Sequence, residues 1–552
     1  MSGIPQIHEL WITPLSPVHM GTDEDYTPIN YVIDDDALFE FDHRALARLP
    51  EAERRRLDGI LAARANEAML RQVQGFIHKN RERLIPGAIN VVRTSPGIAA
   101  LYASRVGKVA QREENGRQIH NKLEIERASY RADDRRLYLP GTGLKGAIRT
   151  ALLDDVNQGR RLAFRDEKNL DMQQRLLDYT MRNLHKDPLR LLQMGDCHWQ
   201  GNETLNSAEI LFAVNRKKYP VTDARGRLRK SMAENEDLYQ LLECAAPLRL
   251  RAFRGQLAIP DPRGVDERKL PRHRFGFEDI ARACQRFYGQ LWQREQELLR
   301  KRGYLDEEWM QQAADLLDDP DLRQRIEAGR AFLLRVGRHS GAEAVTLNGL
   351  RSIRIMQGKG RKDTWEDSPR TLWLAARDTT EQRYLRPFGW LLVELADPGR
   401  PLPAWPAAEA LQERAGKVMA GWLEGVHHRQ RTLAEGLAQE LAREEQRQRE
   451  AAEEEARAAR EKQRLERLTP EERQMEDLAA RLAADQAAGR KEAGGELNAM
   501  RLQLLEDALQ WDDPALRAKA ASLIRQTAKH LPWARKRKKE AQERLTRLEG
   551  GA

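Results

Sequence analysis

Gly141, Thr142, Gly143, Lys145, Gly146 and Arg149 crowd one stretch of this chain, Leu137-Tyr-Leu-Pro-Gly-Thr-Gly-Leu-Lys-Gly-Ala-Ile-Arg-Thr-Ala-Leu-Leu153. Glycines carry no Cβ, so a main chain there can approach something bulky. From Leu144 onward, Leu144, Ala147, Ile148, Ala151 and Leu152 recur at helical spacing, so the stretch reads as strand end, glycine turn, helix. A helix N-terminus offers unpaired N–H groups and a partial positive charge, which suits a phosphate. Lys145 and Arg149 stand four residues apart, share a face and add two cations. A P-loop would need Gly-Lys followed by Ser or Thr, whereas Lys145 precedes Gly146 and Ala147, which argues against an NTPase. The plainer alternative is a turn that merely starts a buried helix.

A second loop, Arg335-Val-Gly-Arg-His-Ser-Gly341, joins Gly337 and Gly341 to Arg335, Arg338, His339 and Ser340. Arginine forks and a backbone nest suit phosphate oxygens. Lys359, Arg361 and Lys362 follow in a basic loop that is either a phosphate contact or plain surface. His19, Asp23, Glu24 and Asp25 crowd a loop after the first apolar run. Such a cluster can bind Mg²⁺ or act in acid–base chemistry, or be a solvated loop that positions Tyr26 and Pro28. His8 and His43 have no base or orienting partner nearby in sequence. His427-His428 cannot share one helical face, and Cys197-His198 is isolated. Trp533-Ala-Arg-Lys-Arg-Lys-Lys539 is the densest basic run, a nucleic-acid patch or a solvated helix end.

Strands and helices must hold these groups. Residues 6–41 read as strand, Pro- and acid-rich loop, and a hairpin turning at Asp34-Asp35-Asp36. Residues 43–84 read as helical, followed by a strand at Leu137–Leu139 and a helix over 144–155. Ala208–Val214 alternates as a strand. Pro247–Arg254 alternates Leu248, Leu250 and Ala252 against Arg249, Arg251 and Arg254, which predicts a strand with a basic face. Residues 276–333 read as helical, and Val345–Leu347, Ile353–Met356, Leu372–Ala375 and Trp390–Leu395 as strands. Pro398, Pro401, Pro403 and Pro406 mark a linker. Residues 430–468 predict a long solvated helix. Thr469-Pro470-Glu471-Glu472 reads as a capped helix start, followed by apolar stripes that predict a small helical bundle.

The chain has 94 basic and 85 acidic residues, a net charge of +9, which fits a polyanionic partner. Cys197, Cys244 and Cys284 lack CxxC spacing, suit a reducing cytosol and give no zinc site. Without a long apolar run or a basic-then-apolar leader, neither a membrane span nor a signal peptide is expected, and the location expected is cytoplasmic.

The glycine-rich stretch resembles the "PGSSLKGAIRTAL" element of the RAMP superfamily, the RNA-binding subunits of CRISPR effector complexes. Leu15–Asp34 resembles the opening "TPVHIGSGEEYSPLDYVID" of the subfamily that sits at the 3′ end of the CRISPR RNA in type III-A Csm complexes, the fifth Csm subunit. Leu334–Gly341 is similar to the family's second glycine-rich loop, and Arg386-Pro-Phe-Gly-Trp390 to its terminal "PFGW" strand. The matches run in order from residue 10 to 395; residues from about 400 lie outside them. The resemblance implies an α+β fold: two ferredoxin-like (RRM-like) units with helical insertions, plus an all-α C-terminal extension. The expected segments are 1–160, 161–333, 334–398 and 399–552. It also implies an RNA-binding, noncatalytic subunit that needs no cofactor. Gly141, Thr142, Gly143, Lys145, Gly146, Arg149, Arg335, Gly337, Arg338, His339, Ser340, Gly341, His19 and Tyr26 would meet the RNA. Neighbouring Csm backbone subunits and recruited host nucleases would be its partners. Two alternatives stand beside this: a RAMP ribonuclease using His19 or Asp25, and a protein-interaction scaffold working through the C-terminal helices.

Overall fold

The computed structural model describes residues 5–108, 111–112, 118–119, 123–161, 168–200, 208–223, 225–231, 234, 238–263, 265–356, 360, 362–397 and 400–550. Lys359, Arg361 and Pro398 lie outside them. The chain divides into two units, Met1–Gln439 and Glu440–Ala552.

The first unit is mixed α/β and holds two large sheets. Sheet one runs, in spatial order, Ala331–Arg335, Trp390–Ala396, Gln6–Pro14, Phe253–Ile259, Cys197–Trp199 and Tyr138–Leu139. Gln6–Pro14 lies antiparallel to both neighbours, with Leu10 opposite Gly255 and Leu395. Four strands, Gln6–Pro14, Cys197–Trp199, Phe253–Ile259 and Trp390–Ala396, take the spatial order fourth, first, third, second. The helices Gly141–Asn157 and Phe277–Arg302 connect the first to the second and the third to the fourth. Leu144, Ile148 and Leu152 share one buried core with Leu10, Ile12 and Phe287. Burying such apolar stripes, at roughly 25 cal/mol per Å², is what fixes helix to sheet. Trp292 meets Trp390 edge-on at 5.0 Å between ring centroids.

Sheet two runs Gly21–Tyr26, Ile125–Ala128, Tyr239–Ala245, Ala208–Lys217, Ala88–Thr94, Ala37–Phe41 and Tyr31–Asp34. Thr371–Ala376 also pairs with Ala208–Lys217 and with Arg386–Pro387. Strands from either side of residues 160 and 333 thus share both sheets, so the expected segments are interleaved in space. Within this unit, Trp422 on the helix Pro406–Arg467 donates from Nε1 to Asp36 Oδ1 at 2.8 Å, and Val426 joins the Phe39 and Phe76 core.

Several expectations need correcting. The helix predicted from 144 begins at Gly141. The acidic loop is an edge strand, Gly21–Tyr26, with Asp23 at φ 61° beside a bulge. Pro247–Ala252 is not a strand: Leu248 and Arg251 take φ 56° and 46°, and pairing begins at Phe253. Val345–Leu347 is irregular, and Ala88–Thr94 with the helix Pro96–Arg105 went unpredicted.

The described residues of the second unit are helical, with Pro470–Ala487, Glu496–Ala508, Pro514–His530 and Lys538–Leu548 around Leu478, Leu504 and Ile524. Thr469 and Glu472 form the predicted capping box at 3.0 and 3.2 Å. Arg501 is buried, donates to the Leu531 carbonyl at 2.6 Å and lies 3.7 Å from the Trp533 ring centre. Burial lowers its pKa to about 10.

Among the described residues no helix is long and apolar enough to cross a membrane. Cys197, Cys244 and Cys284 are free and buried.

Candidate nucleic-acid interface

The buried connection Leu15–Met20 leads from sheet one to sheet two, and other segments dock onto it by main-chain bonds. The Leu15 N–H donates to the Trp390 carbonyl at 2.9 Å, and Gly389 N–H to the Pro17 carbonyl at 2.8 Å. The Arg338 N–H donates to the His19 carbonyl at 2.9 Å. Gly337 sits at φ 79°, and a Cβ there would drive into that same carbonyl, so only glycine fits. A Cβ on Gly143 would strike the Met20 Cε. The two glycine loops and the His19 segment, far apart in sequence, therefore meet around His19–Met20. Thr142 is exposed one residue before Gly143, and Arg338 is 44% exposed one residue after Gly337, so both stand at the rim of this corner.

The candidate residues divide sharply in placement. Gly141 faces inward: its N–H donates to Asp196 Oδ1 at 2.7 Å, and a Cβ would stand 2.6 Å from the Met194 and Gly195 carbonyl oxygens. A carboxylate thus already serves the helix start where a phosphate was expected. Gly146 faces open space, and Lys145 forms no ion pair among the described residues. Burial, with Arg149 nearby, holds the Lys145 pKa below its usual value against the pull of Asp187. Arg149 is spent internally, donating to Gln173 at 2.8 Å and Tyr179 at 3.0 Å and lying 3.4 Å from Asp187.

Arg335 is buried, 2.8 Å from Glu295, bonded to the Phe388 carbonyl and packed over Trp390. Its expected contact with phosphate does not fit that placement. Arg338 lies 2.7 Å from Glu126. His339 stacks on Trp373 at 4.7 Å and meets Gln240 Oε1 at 2.7 Å; burial, then Arg338, depress its pKa to about 3. Ser340 is buried, and Gly341 takes φ 84° at the loop exit.

His19 is 1% exposed and its Nδ1 meets the Glu243 carbonyl at 2.7 Å. Burial lowers its pKa, so the ring is neutral at pH 7. Tyr26 is buried too: its hydroxyl donates to Glu243 Oε1 at 2.9 Å and accepts from Asn90 at 3.1 Å. Glu243 also accepts from the Ala128 N–H at 3.0 Å, and burial raises its pKa to about 7 despite Arg127. Arg127 pairs with Glu40 at 3.0 Å and lies 4.2 Å from the Tyr26 ring. Tyr26 and His19 therefore build the floor of the corner, with Arg338 above as a cation, while Lys145, two residues past Gly143, lies toward Asp187 and Arg149. Asp25 pairs in register with Glu126 at the strand edge, and Glu24 accepts from the Tyr130 hydroxyl at 2.8 Å.

Glu126, Arg127, Glu243 and Asp196 were missed from sequence. Only Glu243 left a signal there, a single acid inside the apolar run Tyr239–Ala246. The others sit in ordinary polar surroundings and gain their roles from partners distant in sequence.

A family model described as the RAMP superfamily matches residues 11–319. No curated protein matches the chain. One similar solved chain belongs to the cryo-EM structure of a Csm–crRNA–target RNA ternary complex in a type III-A CRISPR-Cas system. It shares 17% identity, with 71% of this chain and 100% of that one covered and a TM-score of 0.41. The crystal structure of T. onnurineus Csm5 shares 16% identity, with 69% of this chain and 99% of that one covered and a TM-score of 0.35.

Proposed function

This chain belongs to the RAMP superfamily, and from that premise we propose that it is a noncatalytic CRISPR RNA-binding subunit of a type III-A Csm effector complex. It caps the 3′ end of the guide, supports its maturation, and touches the neighbouring backbone subunit and recruited host nucleases. The observation that carries the reading is the meeting of both glycine loops at His19–Met20. A main-chain corner with Thr142 and Arg338 at its rim suits a phosphate backbone rather than a base edge. Sequence choice is left to pairing by the guide. The strand order of sheet one, with a helix in each crossover, is that of a ferredoxin-like unit and supports the RAMP architecture. The noncatalytic assignment draws on His19, whose neutral ring is walled in and tied to a carbonyl, a poor place for a general base.

Tagged protein should retain RNA of mature guide length together with Csm subunits, read by sequencing the bound RNA. Lys145→Ala with Arg338→Ala should weaken retention and lower the salt slope by about one per lost phosphate contact. Unchanged retention would remove the corner from the interface. RNA cleavage with Mg²⁺ that Asp25→Ala abolishes would overturn the noncatalytic assignment.

A further inference from the structure

The densest basic run of the chain, Trp533–Lys539, belongs to the second unit and shares no residue with the guide corner. It ends a longer one-sided stretch. From Pro514 to Lys539 the chain carries nine Lys and Arg residues and neither Asp nor Glu, although acids nearly match bases over its whole length. The stretch covers the helix Pro514–His530, a turn and the start of the helix Lys538–Leu548. Arg525 pairs with Glu549 at 2.7 Å, and Arg517 donates to the Asp512 carbonyl at 3.3 Å. Lys519, Lys529 and the five cations Arg535–Lys539 are exposed and form no ion pair among the described residues.

Folding alone does not account for these charges. Lys538 and Lys539 take the first two positions of their helix, where the macrodipole is positive and cations are unfavourable. Glu540 is the one acid in that turn. The turn before it is held in one shape. The Ala534 carbonyl accepts from the Arg537 and Lys538 N–H groups at 2.9 and 3.1 Å. Beneath it, buried Arg501 has no ion pair among the described residues. Its guanidinium holds the Leu531 carbonyl at 2.6 Å and the Trp533 ring at 3.7 Å. Burying a cation without a counter-ion is unfavourable, and what it secures here is the shape of the turn. On the preceding helix Lys519, Ser522, Gln526 and Lys529 form one exposed stripe, which spans about 15 Å and ends at the turn.

We propose that this face of the second unit docks on the phosphate backbone of a nucleic-acid duplex. A duplex carries one negative charge per about 1.7 Å of its axis, and release of its counterions drives contact with cations. Cations on a fixed backbone match that stiff, dense row of phosphates. An unpaired strand fits less well, because it is held by stacking its bases on aromatic rings. The one Phe, Tyr or Trp between Pro514 and Lys539 is Trp533, half-buried with Arg501 against its ring. Lys and Arg on phosphates carry no sequence information, so docking is indifferent to sequence. The surface goes beyond the proposed guide contact and lies outside residues 11–319, which match the RAMP family model.

Fluorescence anisotropy of the full chain with a twenty-base-pair DNA duplex, an RNA duplex and a single strand of the same length tests the surface. The two duplexes should bind alike and at least fivefold tighter than the single strand. Arg535→Gln, Lys536→Gln, Lys538→Gln and Lys539→Gln together should weaken duplex binding at least tenfold. They should also flatten the slope of log affinity against log salt by about 3 to 4. Their Tm should stay unchanged or rise, because like charges at a helix start are thinned. Arg447→Gln, Arg449→Gln, Arg457→Gln and Arg460→Gln remove the same charge from the long helix, where acids interleave, and should move duplex affinity less than twofold. Equal loss from both sets would reduce the effect to net charge and overturn the surface. So would duplex binding untouched by the first set, a single strand bound as tightly as a duplex, or binding to phosphatidylserine vesicles but not to duplexes. Guide retention should hold in the first set, and Lys145→Ala with Arg338→Ala should leave duplex affinity unchanged, so the two contacts fail separately.

Discussion

The side chains beneath the His19–Met20 corner carry more charge than their burial would suggest, and the buried Arg127 is answered by Glu40. Arg127 and Glu40 are both buried and lie 3.0 Å apart. Removing one partner of such a pair strands the other away from water. Glu40→Gln should therefore cost about 3 kcal/mol in urea denaturation, whereas Asp133→Asn, at an exposed pair where Arg131 keeps Asp134 as a second partner, should leave the midpoint almost unmoved. His339 gives a pH signature. Burial depresses its folded pKa to about 3 from an ordinary 6.5, so the folded state binds fewer protons than the unfolded chain between those values. Stability linked to His339 is complete above about pH 6.5 and drains away as pH falls toward about 3. Glu243, raised to about 7, works in the opposite sense, adding stability as pH falls from about 7 to 4.5. His339→Gln should thus reduce the acid loss between pH 6.5 and 4 by about 1–2 kcal/mol, read from denaturation midpoints. At this scale the sequence exposed the glycines and cations of the corner but not their orientation. Arg335 and Arg338 look alike in the chain, yet one is buried against Glu295 and the other reaches the rim.

Helices and strands show why some boundaries were legible and others were not. The Thr469 capping box is entirely local, and its three parts stand within four residues of one another; it was read correctly. The start of Gly141–Asn157 was placed three residues late because its cap, Asp196, comes from another strand connection. Asp196→Ala should cost about 1 kcal/mol by freeing the Gly141 N–H. Gly141→Ala should cost more, about 2–3 kcal/mol, because the new methyl meets two carbonyl oxygens. Thermal unfolding of the pair of variants would check that ranking. Gly21–Tyr26 is poor in β-formers and was read as a loop; pairing with Ile125–Ala128 makes it a strand. Pro247–Arg254 failed the other way. Its alternation is genuine, but positive φ at Leu248 and Arg251 breaks the run before the sheet begins.

Across the whole molecule, each unit buries its own main core, one around Leu10, Leu144 and Trp390 and one around Leu478, Leu504 and Ile524. Calorimetry should show two transitions, and Leu504→Ala should lower only one, by about 2–5 kcal/mol at that core. A truncation meant to test the C-terminal helices should cut near residue 440 rather than 405. The segment between carries Trp422 and Val426, which pack with the Asp36–Phe39 hairpin of the first unit. Guide retention should survive the cut at 440; its loss there would favour the scaffold reading. The central strand of sheet one, Gln6–Pro14, has both its partners at Phe253–Ile259 and Trp390–Ala396. During synthesis, this strand must wait past the middle of its unit for one partner and nearly to the unit's end for the other. Such long closures slow folding and leave a bare, apolar edge for other chains to find. Growing cells should therefore accumulate this protein best when a chaperone, or an already assembled partner, shields that waiting strand.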